Sequence, residues 1–575
     1  MEQTIPADQL KWLYGFIAAA IIVNFSGLFV TLIAPDATLY ATIAKNMVQH
    51  HDYINLYANG HDWLDKPHFP FWITALSFNI FGITTWTYKL PGILFLMMGA
   101  WYTYKLAKAL YNEQIALWAV LILLTAQHIV ISDNDVRAEP YLTGLIIASV
   151  YHFYKANIKN SYWQLLAGCI FAACAIMTKG MFAIIPIGGA IVGHFIITKQ
   201  WKQLFSLRWL VAIVITLILI LPELYCLYQQ FDLHPKKVIF GQKGVSGIKF
   251  FFWDSQFGRF FNTGPIKGGG DPFFFIHTTL WAFLPWSLLL FVAIFQFIKK
   301  GVKDIAAYEW YCISAALLTF LLFSASKFQL PYYLNIVYPF FAIITAQYLY
   351  SVQNAKSIMG IRITQIIVIV LILTAVGLLE YFFLPVEFKW PTIILLIVIY
   401  ILLVFLPDMA GDTPIKKIVV GTIMATFIVN LYLNLVFYPS LLPYQSGSSV
   451  AQFINKTNQK NYPVMQSGED YLWPMQFYLN QPVSTLDTTH GNHPANTFLL
   501  YASADFVNKL TAKGWHLQET YETQSYNISR LKPVFLNSRT RKTAITMMQL
   551  VIVNPLYTPP VILLNNIGPV KHPGK

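Results

Sequence analysis

Charged residues are scarce in this sequence. Asp, Glu, Lys and Arg make up 11% of its 575 residues, whereas soluble domains carry about 25%. Hydrophobic residues reach 56%, and the mean hydropathy is +0.52. A single soluble core does not account for so much apolar sequence, so we predict a polytopic membrane protein. The net charge of +13 then fits cytoplasmic basic loops and anionic membrane lipids, and we expect no nucleic-acid partner.

Cysteine is also rare. The four cysteines form no CxxC pair, no zinc-ligand spacing and no disulfide framework. All of them lie inside apolar runs, which favours small buried side chains: Cys169, Cys174, Cys226 and Cys312. The sequence also lacks a Walker loop and a GxGxxG motif. Nothing in it therefore points to a nucleotide.

Long apolar windows are abundant and predict thirteen transmembrane helices. The windows lie near 12–34, 87–104, 115–132, 140–154, 162–178, 181–198, 209–228, 273–298, 308–324, 332–350, 363–384, 391–407 and 418–438. No small-residue cleavage site follows the first window, so we interpret it as an uncleaved span rather than a signal peptide.

Basic residues alternate with these windows. If each window crosses once, seven connections with Lys or Arg fall on one side, which the positive-inside rule makes cytoplasmic. They contain Lys11; Lys105 and Lys108; Lys155 and Lys159; Lys199, Lys202 and Arg208; Lys299, Lys300 and Lys303; Lys356 and Arg362; Lys416 and Lys417. The N-terminus is then cytoplasmic, and the C-terminus lies on the periplasmic side of a bacterial inner membrane.

The domain prediction follows from this topology. Residues 1–438 form a transmembrane catalytic domain with two large outer loops, 35–86 and 229–272. DATLYATIAKNM (36–47) and the apolar segment that begins at His68 are too short to span and suit interfacial helices. Residues 439–575 contain turns and alternating apolar segments, which predict a C-terminal periplasmic α/β domain ending in a mobile Pro/Gly tail.

Charged residues recur on the outer side, close to the helix ends. Polar groups at this depth are costly and mark functional sites. They are Asp36; Asp65 and Lys66; Asp133, Asp135, Arg137 and Glu139; Lys179; Asp254 and Arg259; and Lys327. Several cations beside several carboxylates suit a phosphate-bearing lipid substrate, because Lys and Arg both bind phosphate.

Each of these residues has a purely structural alternative. Asp36 could cap the helix that follows it, and Asp65 with Lys66 could form an exposed ion pair of little worth. The 133–139 cluster could be a solvated loop. Lys179 could extend to the interface, and Arg259 could anchor to lipid.

The order of motifs resembles the GT-C superfamily of polyprenyl-phosphate-dependent glycosyltransferases, especially the lipid A aminoarabinose transferases and the protein O-mannosyltransferases. The matching motifs, in chain order, are PDATLYATIAKNM, DKPHFPFW, MTKG, GRFF, DPFFF, FLPWSLLL and SASKFQLPYYLNIVYP. Three positions depart from the pattern: Asp65 stands where Glu is usual, His68 replaces a second Pro, and Asn335 lies in a segment that often reads Leu-Pro. The exact sugar and acceptor therefore stay open.

The resemblance implies an inverting transferase that needs no nucleotide. It makes Asp36 and Glu139 the catalytic carboxylates, and it assigns the donor phosphate to Lys66 and Arg259. A further set has a lesser role in binding substrate: Asp65, Lys179, Lys327 and Tyr333. A divalent metal is a possible cofactor, with Asp65 as its best ligand.

Three functions fit these residues. The first is sugar transfer from a polyprenyl (undecaprenyl) phosphate donor to a lipid A-type acceptor. The second is transfer to Ser or Thr of exported proteins. The third is a transporter or flippase, which is disfavoured because transporters place polar residues at the bilayer midplane with repeat symmetry, and the sequence shows no such repeat.

Overall fold

The computed structural model describes residues 7–301, 303–305, 309–383, 413–458, 460–467, 473–486 and 496–554. Helices make up most of the chain before residue 446. Helices α1 to α9 are Ala7–Phe25, Asp36–His50, Phe69–Phe81, Thr85–Leu110, Glu113–Thr125, Gln127–Asn134, Ala138–Lys159, Tyr162–Lys179 and Ile184–Ile197. Strands β1 (Tyr57–Ala58) and β2 (His61–Asp62) pair in the loop between α2 and α3.

Most of the later helices are short, although Ala355–Phe383 has 29 residues. Those of six residues or more cover Leu207–Leu219, Leu221–Leu227, Phe274–Ala282, Ser287–Gly301, Tyr311–Ala325, Tyr338–Ser351, Ala355–Phe383, Pro414–Tyr432, Ser446–Thr457, Trp473–Tyr478 and Ala504–Ala512. Single α-turns lie at Trp201–Leu204, Gly247–Lys249, Arg259–Phe261, Tyr438–Leu441 and Pro533–Leu536. Segments of 3₁₀-helix are Met181–Ala183, Pro331–Val337, Leu442–Tyr444, Ile528–Arg530 and Arg541–Thr543, and π-helix occurs at Tyr228–Asp232, Phe250–Gly258 and Leu433–Phe437.

Four helical stretches in the described residues are long and apolar enough to cross a membrane. They are Tyr162–Lys179, Trp201–Asp232, Ala355–Phe383 and Pro414–Tyr444, and α5 with α6 makes a fifth if this pair, bent by 53°, counts as one span. Several other predicted windows form helices of 13 to 15 residues, whereas a straight span needs roughly 20. The count of thirteen therefore stays a prediction, and the window at 391–407 lies outside the described residues.

The centre of the helical part is α5. Every residue from Ile115 to Thr125 is buried, as expected for a helix that is apolar on all faces. Around it, α4 and α7 pack closely through glycine: a Cβ at Gly144 would lie 2.1 Å from the Phe95 carbonyl oxygen. This contact fixes α7, which carries Glu139 in its first turn.

The first window was predicted too long. Helix α1 ends at Phe25, and turns follow over residues 26–30. The Ser26 hydroxyl donates to the Val23 carbonyl at 2.6 Å, which replaces the next helical bond. The two short helices predicted after it are confirmed as α2 and α3.

The C-terminal sequence contributes a five-stranded mixed sheet. The strands of this sheet are β5 (Val464–Ser467), β6 (Val483–Leu486), β7 (Phe498–Ser503), β8 (Leu517–Ser525) and β9 (Thr546–Val553). Strands β3 (Val238–Ile239) and β4 (Gln242–Lys243) form a separate hairpin earlier in the chain. The order is β6-β5-β7-β9-β8, with β5 parallel to both neighbours and β9 antiparallel to both of its own. The final Pro/Gly tail lies outside the described residues.

The segment YNISRL (526–531), grouped with the alternating apolar segments, is not a strand. It contains the 3₁₀ turn Ile528–Arg530, because the Asn527 side chain accepts a bond from Ser529 N–H. The predicted boundary between two domains near residue 438 stays a prediction.

Candidate active site

Asp65 lies between two cations in the loop before α3. Its Oδ2 accepts a bond from Lys66 Nζ at 2.5 Å, and its Oδ1 accepts one from Arg259 Nη2. All three side chains are mostly buried. Burial alone would raise the pKa of the Asp65 carboxyl, but the Arg259 and Lys66 charges hold that pKa well below its usual range. Asp65 therefore stays ionised and keeps both cations in place.

A second ion pair joins two helices beside this array. Lys179 ends α8, and its ammonium donates to Glu139 Oε1 in the first turn of α7. The ammonium also lies 3.7 Å from the centre of the Tyr333 ring. Gly180 follows with φ of +94°, and a Cβ there would lie 2.3 Å from the Gln256 amide nitrogen. Glycine at this turn lets the chain bring Lys179 up to the loop that carries Arg259.

A third cluster contains Asp36 at the start of α2. Arg137 Nη1 donates to Asp36 Oδ2 at 2.5 Å, while its Nε and Nη2 donate to Asp135 Oδ2. The Arg137 guanidinium lies 4.4 Å from the Tyr332 ring centre, and Lys179 lies 5.8 Å from the same ring. Tyr332 therefore connects the Asp36 cluster to the Lys179 pair.

One cavity brings most of the predicted cations together. Lys66, Lys179, Arg259 and Asp65 line it, and so does Tyr333. Arg259 Nε–H, which is buried, has no hydrogen-bond partner among the described residues. The cavity can therefore offer unused donors to an anion.

An apolar groove adjoins the cavity. Phe182 and Phe323 line both spaces. The groove runs between α9 and the helix Tyr311–Ala325, and its lining includes exposed Leu321 and Ile196. A polar cavity next to an outward-facing apolar groove suits a molecule with an anionic head and a hydrocarbon tail.

The remaining predicted residues lie outside the cavity lining. Asp36 and Glu139 belong to the network just described, through their ion pairs with Arg137 and Lys179. Lys327 is exposed. Its backbone N–H donates to the Phe260 carbonyl at 3.0 Å. It supports the turn after Arg259 rather than facing the cavity.

The predicted metal site has little support in these contacts. Both Asp65 oxygens already accept bonds from cations. Among the described residues, no group of three His, Cys, Asp or Glu side chains could hold a metal ion. This donor set suits phosphate better than a divalent cation.

The structure adds a buried pair that the sequence analysis missed. His68 Nδ1 lies 3.0 Å from Glu223 Oε1, His68 N–H donates to Glu223 Oε2 at 2.9 Å, and both side chains have no exposed surface. Glu223 also lines the cavity. The signal for it was an acid inside the apolar window 209–228. The same pair explains why His68 can replace a proline next to Pro67.

Comparisons with known proteins agree with this architecture. A profile of the family described as dolichyl-phosphate-mannose-protein mannosyltransferase matches residues 65–226. An uncharacterised protein of Aquifex aeolicus is 24% identical over 435 residues, which cover 74% of this chain and 78% of that protein. The undecaprenyl phosphate-alpha-4-amino-4-deoxy-L-arabinose arabinosyl transferase of Edwardsiella ictaluri is 27% identical over 336 residues. That alignment covers 56% of this chain and 57% of the transferase.

A solved structure shares the fold over nearly the whole chain. ArnT from Cupriavidus metallidurans, bound to undecaprenyl phosphate, superposes with a TM-score of 0.71 at 17% identity. The superposition covers 96% of this chain and 99% of that one. The same protein in the apo state gives a TM-score of 0.69.

Proposed function

We propose that this chain, a multi-pass membrane glycosyltransferase of the GT-C superfamily, transfers a sugar from undecaprenyl phosphate to a lipid A-type or other cell-envelope acceptor. The observation that carries the proposal is the Lys66–Asp65–Arg259 array in a cavity that adjoins an apolar groove. The arabinosyl transferase relative and the ArnT fold support the same donor class.

The array would hold the donor's phosphate. Arg259 can donate two bonds in one plane, and Lys66 supplies a point charge. As the bond between the sugar's anomeric carbon and the phosphate oxygen breaks, the leaving polyprenyl phosphate gains negative charge. Fixed cations in a mostly buried site stabilise that charge more than water would. Lys179, balanced by Glu139, adds a third cation to the cavity.

Asp36 would act on the acceptor. An acceptor hydroxyl attacks the anomeric carbon from the face opposite the phosphate, a new C–O bond forms, and the proton passes to the Asp36 carboxylate. The outcome is inversion. Arg137 Nη1 donates to Asp36 Oδ2 at 2.5 Å and so orients the carboxylate. If the acceptor is already a phosphate, there is no proton to take, and Asp36 positions the acceptor instead.

The apolar groove would hold the isoprenoid tail, which places the reaction at the outer helix ends. If the basic loops are cytoplasmic, the outer helix ends lie at the periplasmic face of a bacterial inner membrane. The N-terminus is then cytoplasmic, and residues 439–575 are periplasmic. Transfer to Ser or Thr of exported proteins is the second candidate, favoured by the mannosyltransferase profile over residues 65–226.

The test is transfer of radiolabelled sugar from polyprenyl-phosphate donors in membranes that contain wild type, Asp36→Asn or Lys66→Ala at matched protein levels. We expect both variants to lose at least about a hundredfold in rate. Lys243→Ala and Asp271→Asn are matched controls, because both residues are exposed and lie outside the cavity. Wild-type rates in the two variants would refute the assigned roles.

The acceptor needs a separate measurement. Mass spectrometry of lipid A and of secreted proteins from a deletion strain would separate the two candidates. Loss of a sugar from lipid A supports the first, and loss of protein glycosylation supports the second.

A further inference from the structure

The chain that leads into Asp36 is held by residues from the C-terminal region, defined here as residues 439–575. Helix α1 ends at Phe25, and residues 31–33 have no regular secondary structure before α2 begins at Asp36. We call residues 32–36 the Asp36 linker. The backbone polar groups of Leu32 and Ala34 within it have no helical or strand partners, so they need partners from elsewhere.

Gln445 supplies two of those partners. Its side-chain oxygen accepts from Ala34 N–H at 2.8 Å, and its side-chain nitrogen donates to the Leu32 carbonyl at 2.8 Å. Both Gln445 and Leu32 are buried. One amide therefore pairs with the linker as a neighbouring strand would, and this pairing fixes which end of the amide is the oxygen.

Two further side chains complete the set. Leu32 N–H donates to the Tyr478 hydroxyl at 3.0 Å, and the Ser529 hydroxyl donates to the Ala34 carbonyl. The Tyr478 hydroxyl also lies 2.8 Å from Thr85 Oγ1 at the start of α4. All four backbone groups of Leu32 and Ala34 thus bond to side chains, and all of those side chains come from the C-terminal region.

The far side of α2 is fixed by the same region. Lys45, which is buried, donates to the carbonyls of Gln476, Phe477 and Leu479 at the C-terminal end of helix Trp473–Tyr478. A cation at this end of a helix is favourable, because it bonds the carbonyls that the helix leaves unpaired. Both ends of the segment that carries Asp36 are therefore tied to residues after 439.

We infer that Gln445, Tyr478 and Lys45 are positioning residues for the Asp36 carboxylate, so that the C-terminal region completes the active site of the helical part. The inference rests on the proposed function only for the role of Asp36. Arg137 holds the carboxylate from one side, and the linker sets where its Cα lies. A displacement of about 1 Å at a reacting group can reduce the rate about a hundredfold.

The test begins with Gln445→Leu, which keeps the size of the side chain and removes both of its bonds. We expect kcat for sugar transfer to fall about tenfold to a hundredfold while KM for the polyprenyl-phosphate donor stays unchanged, because Gln445 does not line the donor cavity. Gln481→Leu is the matched control, since that amide bonds to Tyr462 O within the C-terminal region. Equal kcat for wild type and Gln445→Leu would overturn the inference.

A double-mutant cycle separates positioning from general destabilisation. In an Asp36→Asn background, Gln445→Leu should cause no further loss, because its effect acts through Asp36. A full additional loss would show that Gln445 acts elsewhere. Tyr478→Phe should give a smaller loss of the same kind, because it removes one linker bond and leaves Gln445 in place.

Hydrogen exchange tests the bonds between Gln445 and the Asp36 linker without any sugar transfer. In nanodiscs, the peptide that covers residues 26–40 should exchange faster in Gln445→Leu than in wild type or Gln481→Leu. Unchanged exchange would overturn the inference even if the donor is never identified. Faster exchange together with no transfer by wild type from any polyprenyl-phosphate donor would instead refute the proposed function. The bonds from Gln445 to the Asp36 linker would still stand.

Discussion

Each oxygen of the Asp65 carboxylate accepts a hydrogen bond from a different cation. This pairing explains how Asp65, Lys66 and Arg259 can be mostly buried in so apolar a protein. Lys66 and Arg259 come from loops 193 positions apart, and each would repel the other without the acid between them. Removing one member of a buried ion pair typically costs about 3–5 kcal/mol. The array is therefore preorganised for an anion before any substrate arrives.

His68 gives a prediction about pH. Burial would lower the pKa of His68, but the Glu223 charge and hydrogen bond, the Ile54 carbonyl and the charge of Asp52 raise it above its ordinary value of 6.5. Protonated His68 therefore stabilises the fold fully below pH 6.5, and this contribution is lost as the pH rises through the raised pKa. We expect His68→Ala to destabilise the protein by about 3 kcal/mol at pH 6 and by less at pH 9.

The measurement is thermal unfolding in detergent, followed by tryptophan fluorescence at several pH values. His61→Ala serves as the control, because His61 is exposed in strand β2. A His68→Ala effect that does not change with pH would contradict the expected linkage.

At the scale of helices and strands, the close approach of α4 and α7 depends on two glycines. A Cβ at Gly99 would lie 3.2 Å from Gly144 Cα, and a Cβ at Gly144 would lie 2.1 Å from the Phe95 carbonyl oxygen. Backbone atoms cannot move aside as a flexible side chain can. We expect Gly144→Ala to separate the helices and to destabilise the protein by about 1–3 kcal/mol.

The measurement is the midpoint of thermal unfolding, which should be lower in Gly144→Ala than in wild type. Gly377→Ala is the matched control, because nothing lies within 4 Å of its Cβ position in the helix Ala355–Phe383. Equal midpoints for the two variants would contradict close packing at Gly144.

The local sequence pattern predicted helices and strands better than it predicted contacts between side chains. Helices α2 and α3 lie where the sequence predicted them and end near the predicted residues. The early end of α1 comes with a bond from the Ser26 hydroxyl to the backbone, which hydropathy does not register. The 53° bend between α5 and α6 was not predicted either. The cations of the site were visible because charge is rare in this sequence. The partner of each charged side chain, such as Glu223 for His68 and Arg137 for Asp36, depends on tertiary packing.

For the whole molecule, the groove between α9 and helix Tyr311–Ala325 gives a test of how the donor binds. Leu321→Trp should partly fill the groove, because Leu321 lines it and is 56% exposed. We expect a roughly tenfold higher KM for a long-chain donor, equivalent to about 1.4 kcal/mol, and no change for a donor with two isoprene units.

Leu371→Trp is the control for that experiment. Leu371 is 62% exposed on helix Ala355–Phe383 and does not line the groove. Equal effects of Leu321→Trp on long and short donors would exclude the groove as the site of the tail.

The groove also decides which concentration the enzyme responds to. Its lining includes residues exposed on the outside of the helices, and in a membrane these would meet acyl chains rather than water. A donor bound there arrives by diffusion in two dimensions, and its supply is set by its mole fraction among the lipids of one leaflet. Inert lipid added at constant amounts of enzyme and donor would then slow the reaction, as if the substrate had been diluted, although the composition of the water had not changed.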